Sequence, residues 1–272
     1  MNRLTVNDLS QAQDLIKERC QQSTSKPLIC YTAVFGDYDA LGPCPEGLPD
    51  TEFYCFTDSA RVCAPGWTVI EVDFIYRDPR RTARLFKLAP QMLFPRARSS
   101  VWLDANLLTK REFFEYLKRY KECSFACFRH PRRRNVYEEA AACIKHGKDD
   151  IVVIRRQVER YRALGLPESA GLINSSVLLR RHQSEEVVRF QEKWLEETDQ
   201  QCSRDQISFV FASWEMELAY TTFDRSIERA PGLSYRPHRT WRFYDSRGKR
   251  LFYPRIFVSN LYHRFAHLRG LV

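Results

Sequence analysis

At 272 residues, 44% of them hydrophobic and 13% aromatic, the chain suits one large domain, alone or with an appendage, and can bury a sizeable core, which excludes a disordered chain. Its 43 Lys and Arg exceed its 34 Asp and Glu by a formal net charge of +9. That excess is not spread evenly. From Arg225 to Val272, 11 basic residues face two acids (Glu228 and Asp245), while the first 224 residues hold 32 of each sign.

No apolar run reaches the roughly 18 residues of a membrane span, and the start, MNRLTVNDLSQAQDLIKERC, shows no signal-peptide core. The chain is therefore expected in the cytosol, or peripherally on the cytosolic face of a membrane. Nine cysteines, an odd number with several in apolar runs, read as reduced core thiols rather than a disulfide framework.

In chain order, residues 4–22 read as a polar amphipathic helix, so residues 1–26 form an N-terminal helical segment. LICYTAVFG (28–36) is a buried strand closed by Gly36-Asp37, FYCFTD (53–58) a second and WTVIEVD (67–73) a third. DPRRTARLFKLAPQMLF (78–94) opens on Asp-Pro and carries apolar groups at helical spacing, with Arg81, Arg84 and Lys87 near one face. SSVWLDANL (99–107) is a strand running into polar residues. A helix at 110–121, the strand CSFACF (123–128), helices at 136–147 and 151–165, the strand GLINSSVLLRR (171–181) and helices at 184–198 and 204–216 complete the series. Strands alternating with helices predict a single α/β domain over 27–224, a central mixed sheet flanked by helices, with a basic aromatic extension at 225–272. In such sheets ligands gather at the carboxyl ends of strands. Three of those ends are polar: Gly36-Asp37-Tyr38-Asp39, Thr57-Asp58 and Asp104-Ala105-Asn106.

The sequence holds no dinucleotide fingerprint, no P-loop, no zinc spacing and no GxSxG elbow. Cys123, Cys127 and His130 resemble a metal set only superficially, because the two cysteines share one face of a strand. Val101-Trp102-Leu103-Asp104-Ala105-Asn106 says more. A buried strand that delivers a carboxylate, then a second oxygen two residues on, suits a magnesium or manganese ion that in turn holds a diphosphate. The plainer reading of Asp104 is a turn residue or helix cap.

The segments YTAVFGDYD, FYCFTD, RRTARLFKLAPQMLFP, SSVWLDANL, FRHPRRRNVYEEAAAC, GLINSSVLLRRH and RDQISF occur in an order that resembles GT-A-fold glycosyltransferases. In particular they resemble a glycosyltransferase-like family with plant and bacterial members, long classed as a domain of unknown function. The resemblance covers roughly residues 28–215 and implies a Rossmann-like half that binds a nucleotide-sugar donor. Thr32, Phe35, Gly36, Tyr38 and Asp39 would cradle the nucleoside, with Asp58 near the base. Arg81, Arg84 and Lys87 would face the diphosphate. Asp104 and Asn106 occupy the DxD positions, with His238 as a late metal ligand. Asn174 and Ser175 would lie against the donor sugar or acceptor, and His130 and Arg132 would line the same cleft. Gln206 would bind sugar hydroxyls, and Asp205 would be the catalytic carboxylate; its plainer reading is the N-cap of its helix.

Asn106 departs from the DxD pattern, leaving any cation held with one charge less. The divalent ion then sits mainly on Asp104 and the diphosphate, or Arg84 and Lys87 replace it. The implied reaction moves a sugar to a glycan or lipid-linked acceptor in surface polysaccharide or glycoconjugate synthesis, and the basic tail would dock on an anionic surface. The competing reading is a non-catalytic protein that uses the tail on nucleic acid or another anionic surface. The neutral first 224 residues and the lack of any nucleic-acid signature weigh against nucleic acid as a partner.

Overall fold

The computed structural model describes residues 3–6, 28–72, 78–95, 97–236, 243–244 and 250–251. One eight-stranded mixed sheet runs through them. Its strands are β1 (Arg3–Val6), β2 (Leu28–Val34), β3 (Thr51–Thr57), β4 (Thr68–Val72), β5 (Ser100–Leu103), β7 (Phe125–Arg129), β8 (Ile173–Arg180) and β9 (Thr221–Thr222), in the spatial order β1-β4-β3-β2-β5-β8-β7-β9. The pairs from β1 to β5 are parallel, β8 is antiparallel to both β5 and β7, and β9 is parallel to β7.

Among the described residues seven α-helices accompany the strands: α1 (Pro79–Leu88), α2 (Pro90–Leu93), α3 (Arg111–Leu117), α4 (Val136–Lys145), α5 (Ile151–Ala163), α6 (Glu185–Gln200) and α7 (Asp205–Glu215). Alternation along each strand sends side chains to opposite faces. Tyr31 and Trp102 therefore join Phe86, Val136, Ile154, Phe190 and Phe209 in one core layer. Cys30, Val101 and Leu103 join Phe113, Phe114 and Phe223 in the other. Both faces are covered, which explains why the strands read as near-continuous apolar runs.

Some expectations change. Arg3–Val6 is a strand paired with β4, not the start of a helix, and residues 7–27 lie outside the described residues. The helix expected over 78–94 breaks at Ala89, because Pro90 has no N–H to continue the ladder; a short helix restarts there. Asp78 caps α1, accepting from the N–H groups of Arg80 and Arg81 at 2.8 and 3.0 Å.

Two short strands that the apolar pattern does not announce matter for the site. β6 (Leu107–Thr109) pairs antiparallel with β10 (Leu233–Tyr235). Residues 225–236, assigned from sequence to the extension, thus pack into the same body. Ile227 and Leu233 are buried in its second core layer. Farther on, β11 (Phe243–Tyr244) pairs with β12 (Arg250–Leu251), and the remainder of the tail, with its expected membrane contact, lies outside the described residues. Among the described residues, no helix is long and apolar enough to cross a membrane. Of the eight cysteines among them, all are free thiols and five are buried.

Candidate active site

The chain leaves β2 through a tight turn at Gly36 (φ 67°) and Asp37 (φ 51°), a left-handed pair that glycine enters without strain. The Gly36 N–H donates to both oxygens of Asp58, at 3.0 and 3.1 Å, which ties the first polar strand end to the second. Burial of Asp58 raises its carboxyl above the ordinary value, against those hydrogen bonds. Tyr38, carried out by the turn, lies within electrostatic reach of Asp39, Arg204, Arg84 and Asp104, and burial raises its phenol above the usual range. The first-strand loop and the β5 end therefore lie near each other, at the strand ends where the cleft is expected.

Lys87 is the centre of that cleft's floor. On the last turn of α1 it is 1% exposed. Its ammonium donates to Asp205 Oδ2 at 2.8 Å, Ser175 Oγ at 3.1 Å and Asp104 Oδ1 at 3.4 Å. The Trp102 indole donates to the same Asp104 oxygen at 2.7 Å. Arg84, one helical step back, meets Asp205 Oδ1 at 3.2 Å, and Ser175 Oγ donates to Asp205 Oδ2 at 2.8 Å. Four segments far apart in sequence, α1, the β5 end, β8 and the α7 start, thus meet on one ammonium.

These contacts redefine Asp205. It does not cap α7; Arg204 holds that position without a capping side-chain bond, and Asp205 turns inward instead. Burial alone would raise its pKa, but Arg84, Lys87 and Arg204 outweigh burial and hold the carboxyl well below the usual carboxylate range. Both of its oxygens are engaged, by Arg84 and Lys87, and the side chain is 2% exposed.

A second tier supports the α7 start. Gln206 Nε2 donates to the Ile173 carbonyl at 2.8 Å, and Arg204 Nη2 donates to Gln206 Oε1 at 3.3 Å. Asp149 accepts from the Ser203 N–H at 2.7 Å and its hydroxyl at 2.6 Å. Glu139 is bonded to Arg133 and lies 3.7 Å from Arg204. His130 stands beside this group, its Nδ1 accepting from the Arg132 and Arg133 N–H groups at 3.2 and 2.9 Å. Burial first, then Arg133, lowers its pKa below the ordinary histidine value.

Other expected site residues are placed elsewhere. Thr32 is fully buried within β2, and Phe35 stacks on Phe86 at 5.4 Å in the core, so neither faces a ligand. The strand runs to Val34 with both faces covered: Thr32 shares the face of Cys30 and Val34, in the layer of Phe113 and Phe114, while Phe35 lies on the opposite face under Phe86 of α1. Arg81 leaves the cleft: its guanidinium donates to the carbonyls of Thr198, Asp199 and Gln201 at 2.6, 2.9 and 2.7 Å, closing the end of α6. At 3.6 residues per turn it points roughly 120° away from Lys87. Arg132 is exposed, Asn174 Oδ1 accepts from the Ser176 N–H at 2.9 Å, and Asp39 is buried in the first-strand loop. His238 lies outside the described residues.

Asn106 has a task that the DxD comparison does not suggest. Its Nδ2 donates to the Arg236 carbonyl at 3.3 Å, and its own carbonyl accepts from the Arg236 N–H at 2.8 Å. Arg236 in turn donates to the carbonyl of Ala40. Gly42, close by, has no room for more, since a Cβ would fall 2.6 Å from Leu108 Cδ2. The segment at 233–236 thereby laces the first-strand loop to the β5 end. Among the described residues no group of three His, Cys, Asp or Glu side chains surrounds a cation position. One carboxylate, Asp104, and the amide oxygen of Asn106 fit a cation that keeps phosphate oxygens in its shell, not a closed protein cage.

A profile of the TOD1/MUCI70, glycosyltransferase-like domain matches residues 23–228, well over half of the chain. The chain belongs to the TOD1/MUCI70 glycosyltransferase-like family. A probable hexosyltransferase MUCI70 from Arabidopsis thaliana is 35% identical over 155 residues, covering 53% of this chain. That stretch is 26% of the plant protein, so the chain spans only about a quarter of this relative's length. The crystal structure of mouse xyloside xylosyltransferase 1 in its apo form aligns with 82% of this chain and 84% of its own, with a TM-score of 0.37 and 14% identity. The TOD1/MUCI70 match takes in the whole junction from Tyr38 to Gln206 and stops before β10. Arg204 and Asp149 carry no sequence signal of their own, and Tyr235 and Arg236 stand out in the sequence only as members of the basic aromatic tail.

Proposed function

We propose that this chain transfers a hexosyl group from a nucleoside-diphosphate sugar to a hydroxyl of a glycan or lipid-linked acceptor, in surface polysaccharide or glycoconjugate synthesis. The observation that carries the reading is the junction itself. Lys87, Arg84 and Arg204 are fixed cations gathered at the strand ends, beside the loop that bears Tyr38. Such a site suits a diphosphate.

Breaking the bond between the anomeric carbon and the phosphate oxygen sends its electron pair to the diphosphate. Arg84, partly open to solvent, meets that growing charge from a position already set by Asp205, so the guanidinium does not reorganise as the charge develops. Lys87 keeps Asp104 in place from beneath. Asp104 and Asn106 would hold a magnesium or manganese ion, which when bound supplies Lewis-acid stabilisation of the leaving diphosphate. Tyr38 and the Gly36–Asp58 turn form the wall against which the nucleoside packs.

The test is thermal stabilisation by uridine or guanosine diphosphate, with and without manganese, followed by hydrolysis of a panel of nucleotide sugars. One nucleotide should raise Tm, one sugar nucleotide should be slowly hydrolysed, and Asp104→Ala should abolish both effects. Failure of every nucleotide and nucleotide sugar to shift Tm, with or without metal, would overturn the proposal.

A further inference from the structure

β10 carries a residue that the donor-site reading above does not use. Alternation puts Leu233 and Tyr235 on one face of this short strand. Leu233 closes on the core at 9% exposure, whereas Tyr235, roughly 7 Å farther along, is 44% exposed. It passes the edge of the core and comes out opposite Leu107, at the end of the segment that carries Asp104 and Asn106. Pairing with Leu107 sets it three positions from Asp104 along the facing segment, and Asp104, Asn174 and Ser176 are its electrostatic neighbours.

An exposed aromatic side chain is ordinary on a protein surface. This one differs in how firmly it is held. Register with β6 fixes its backbone, pairing Tyr235 with Leu107. Immediately after it, Arg236 is bound at both its N–H and its carbonyl by Asn106, and by its guanidinium to Ala40. The Gly232 carbonyl, before it, accepts from the Lys110 N–H at 2.8 Å. A large amphipathic ring is thus carried on a backbone restrained on both sides of it, near Asp104, with much of its surface still in water. Holding a ring in place before a ligand arrives removes the ordering cost from binding. Pyranose rings offer an apolar patch of C–H groups bounded by hydroxyls, which matches a ring face flanked by hydrogen-bonding groups such as Asn174 and Ser176.

We infer that Tyr235 is a sugar-contacting residue: its ring is the platform on which a pyranose packs in the cleft, with Asn106 and Arg236 as the residues that position it. The inference rests on the glycosyl-transfer reading. The pyranose is either the donor's or the acceptor's, and binding measurements distinguish the two. Calorimetry on the full chain would compare uridine diphosphate with UDP-glucose and UDP-galactose, and guanosine diphosphate with GDP-mannose, for wild type, Tyr235→Phe and Tyr235→Ala. Saturation-transfer NMR would follow methyl hexopyranosides and short oligosaccharides in the presence of the nucleotide diphosphate.

If the sugar is the donor's, Tyr235→Ala loses about tenfold in affinity for the sugar nucleotide, leaves the plain diphosphate unchanged, and Tyr235→Phe retains both affinities. If it is the acceptor's, both nucleotide affinities survive in Tyr235→Ala while the glycoside transfer signals disappear. The proposal is overturned if Tyr235→Ala matches wild type in every titration and every transfer spectrum. It is equally overturned if plain diphosphate affinity falls in step with that of the sugar nucleotide, which would make the ring a structural prop. A wild-type chain that binds no nucleotide at all sinks the broader reading and this one together.

Discussion

Lys87→Met is the most direct challenge to the junction. The ammonium is 1% exposed and bridges Asp205 at 2.8 Å, Ser175 at 3.1 Å and Asp104 at 3.4 Å. Removing one partner of a buried pair costs about 3–5 kcal/mol, because the other charge stays buried without it. Asp205 keeps Arg84 at 3.2 Å and the Ser175 hydroxyl, so the lower end, about 3 kcal/mol, applies. For a domain of this size that is roughly 6–12 °C in Tm. The double variant Lys87→Met, Asp205→Asn removes both charges and should recover at least about 1 kcal/mol of the loss, since a buried pair replaced as a unit is far less costly than one broken in half. Thermal and urea unfolding at pH 7 of wild type, both singles and the double measure this coupling. A Lys87→Met shift below about 2 °C, or a double variant that simply sums the two singles, would refute the idea that the ammonium neutralises Asp205.

Arg81→Ala should destabilise by about 2 kcal/mol through loss of its three carbonyl partners, with nucleotide affinity untouched; weakened nucleotide binding would return Arg81 to the cleft. His182 is buried between Ser100 and the Phe94 carbonyl, and burial lowers its pKa to about 4. Below the unfolded value of about 6.5 the unfolded chain binds the proton first, so stability falls by about 3 kcal/mol between pH 6.5 and pH 4. His182→Gln should flatten that slope in Tm against pH, leaving the part due to His130, whose pKa is lowered in the same sense. Asn106→Asp removes the amide donor to the Arg236 carbonyl and sets a carboxylate against it. Amides of residues 233–236 should then exchange faster with solvent, while unchanged protection would show that Asn106 does not hold the segment.

Much of the fold is legible because the strands are buried on both faces. LICYTAV, FYCFT and SVWL are apolar runs whose polar ends mark the cleft, and Asp104 and Asp58 were found that way. Lys87 and Arg84 were legible as basic residues on the helix after the third strand, but their pairing with Asp205 was not, since it joins residues more than a hundred positions apart. Thr32 and Phe35 misled because composition does not reveal where a strand stops and which face a helix will cover. Arg81 misled because three arginine or lysine residues spaced by three do not share one direction; each step drifts around the axis. The place of Tyr235 beside β6 was hidden for another reason. Basic composition sets residues 225–272 apart in sequence, whereas β10 is defined by a partner strand over a hundred positions earlier.

That pairing bears on how the chain should be cut for experiment. A recombinant fragment that stops at residue 228, where the family match ends, strips β6 of its partner and opens the amide and carbonyl of Asn106 to water. Its soluble yield and its catalysis would then fail for the same reason, and a lost activity would be misread as a requirement for the distal tail. The shortest fragment worth expressing runs through Arg236.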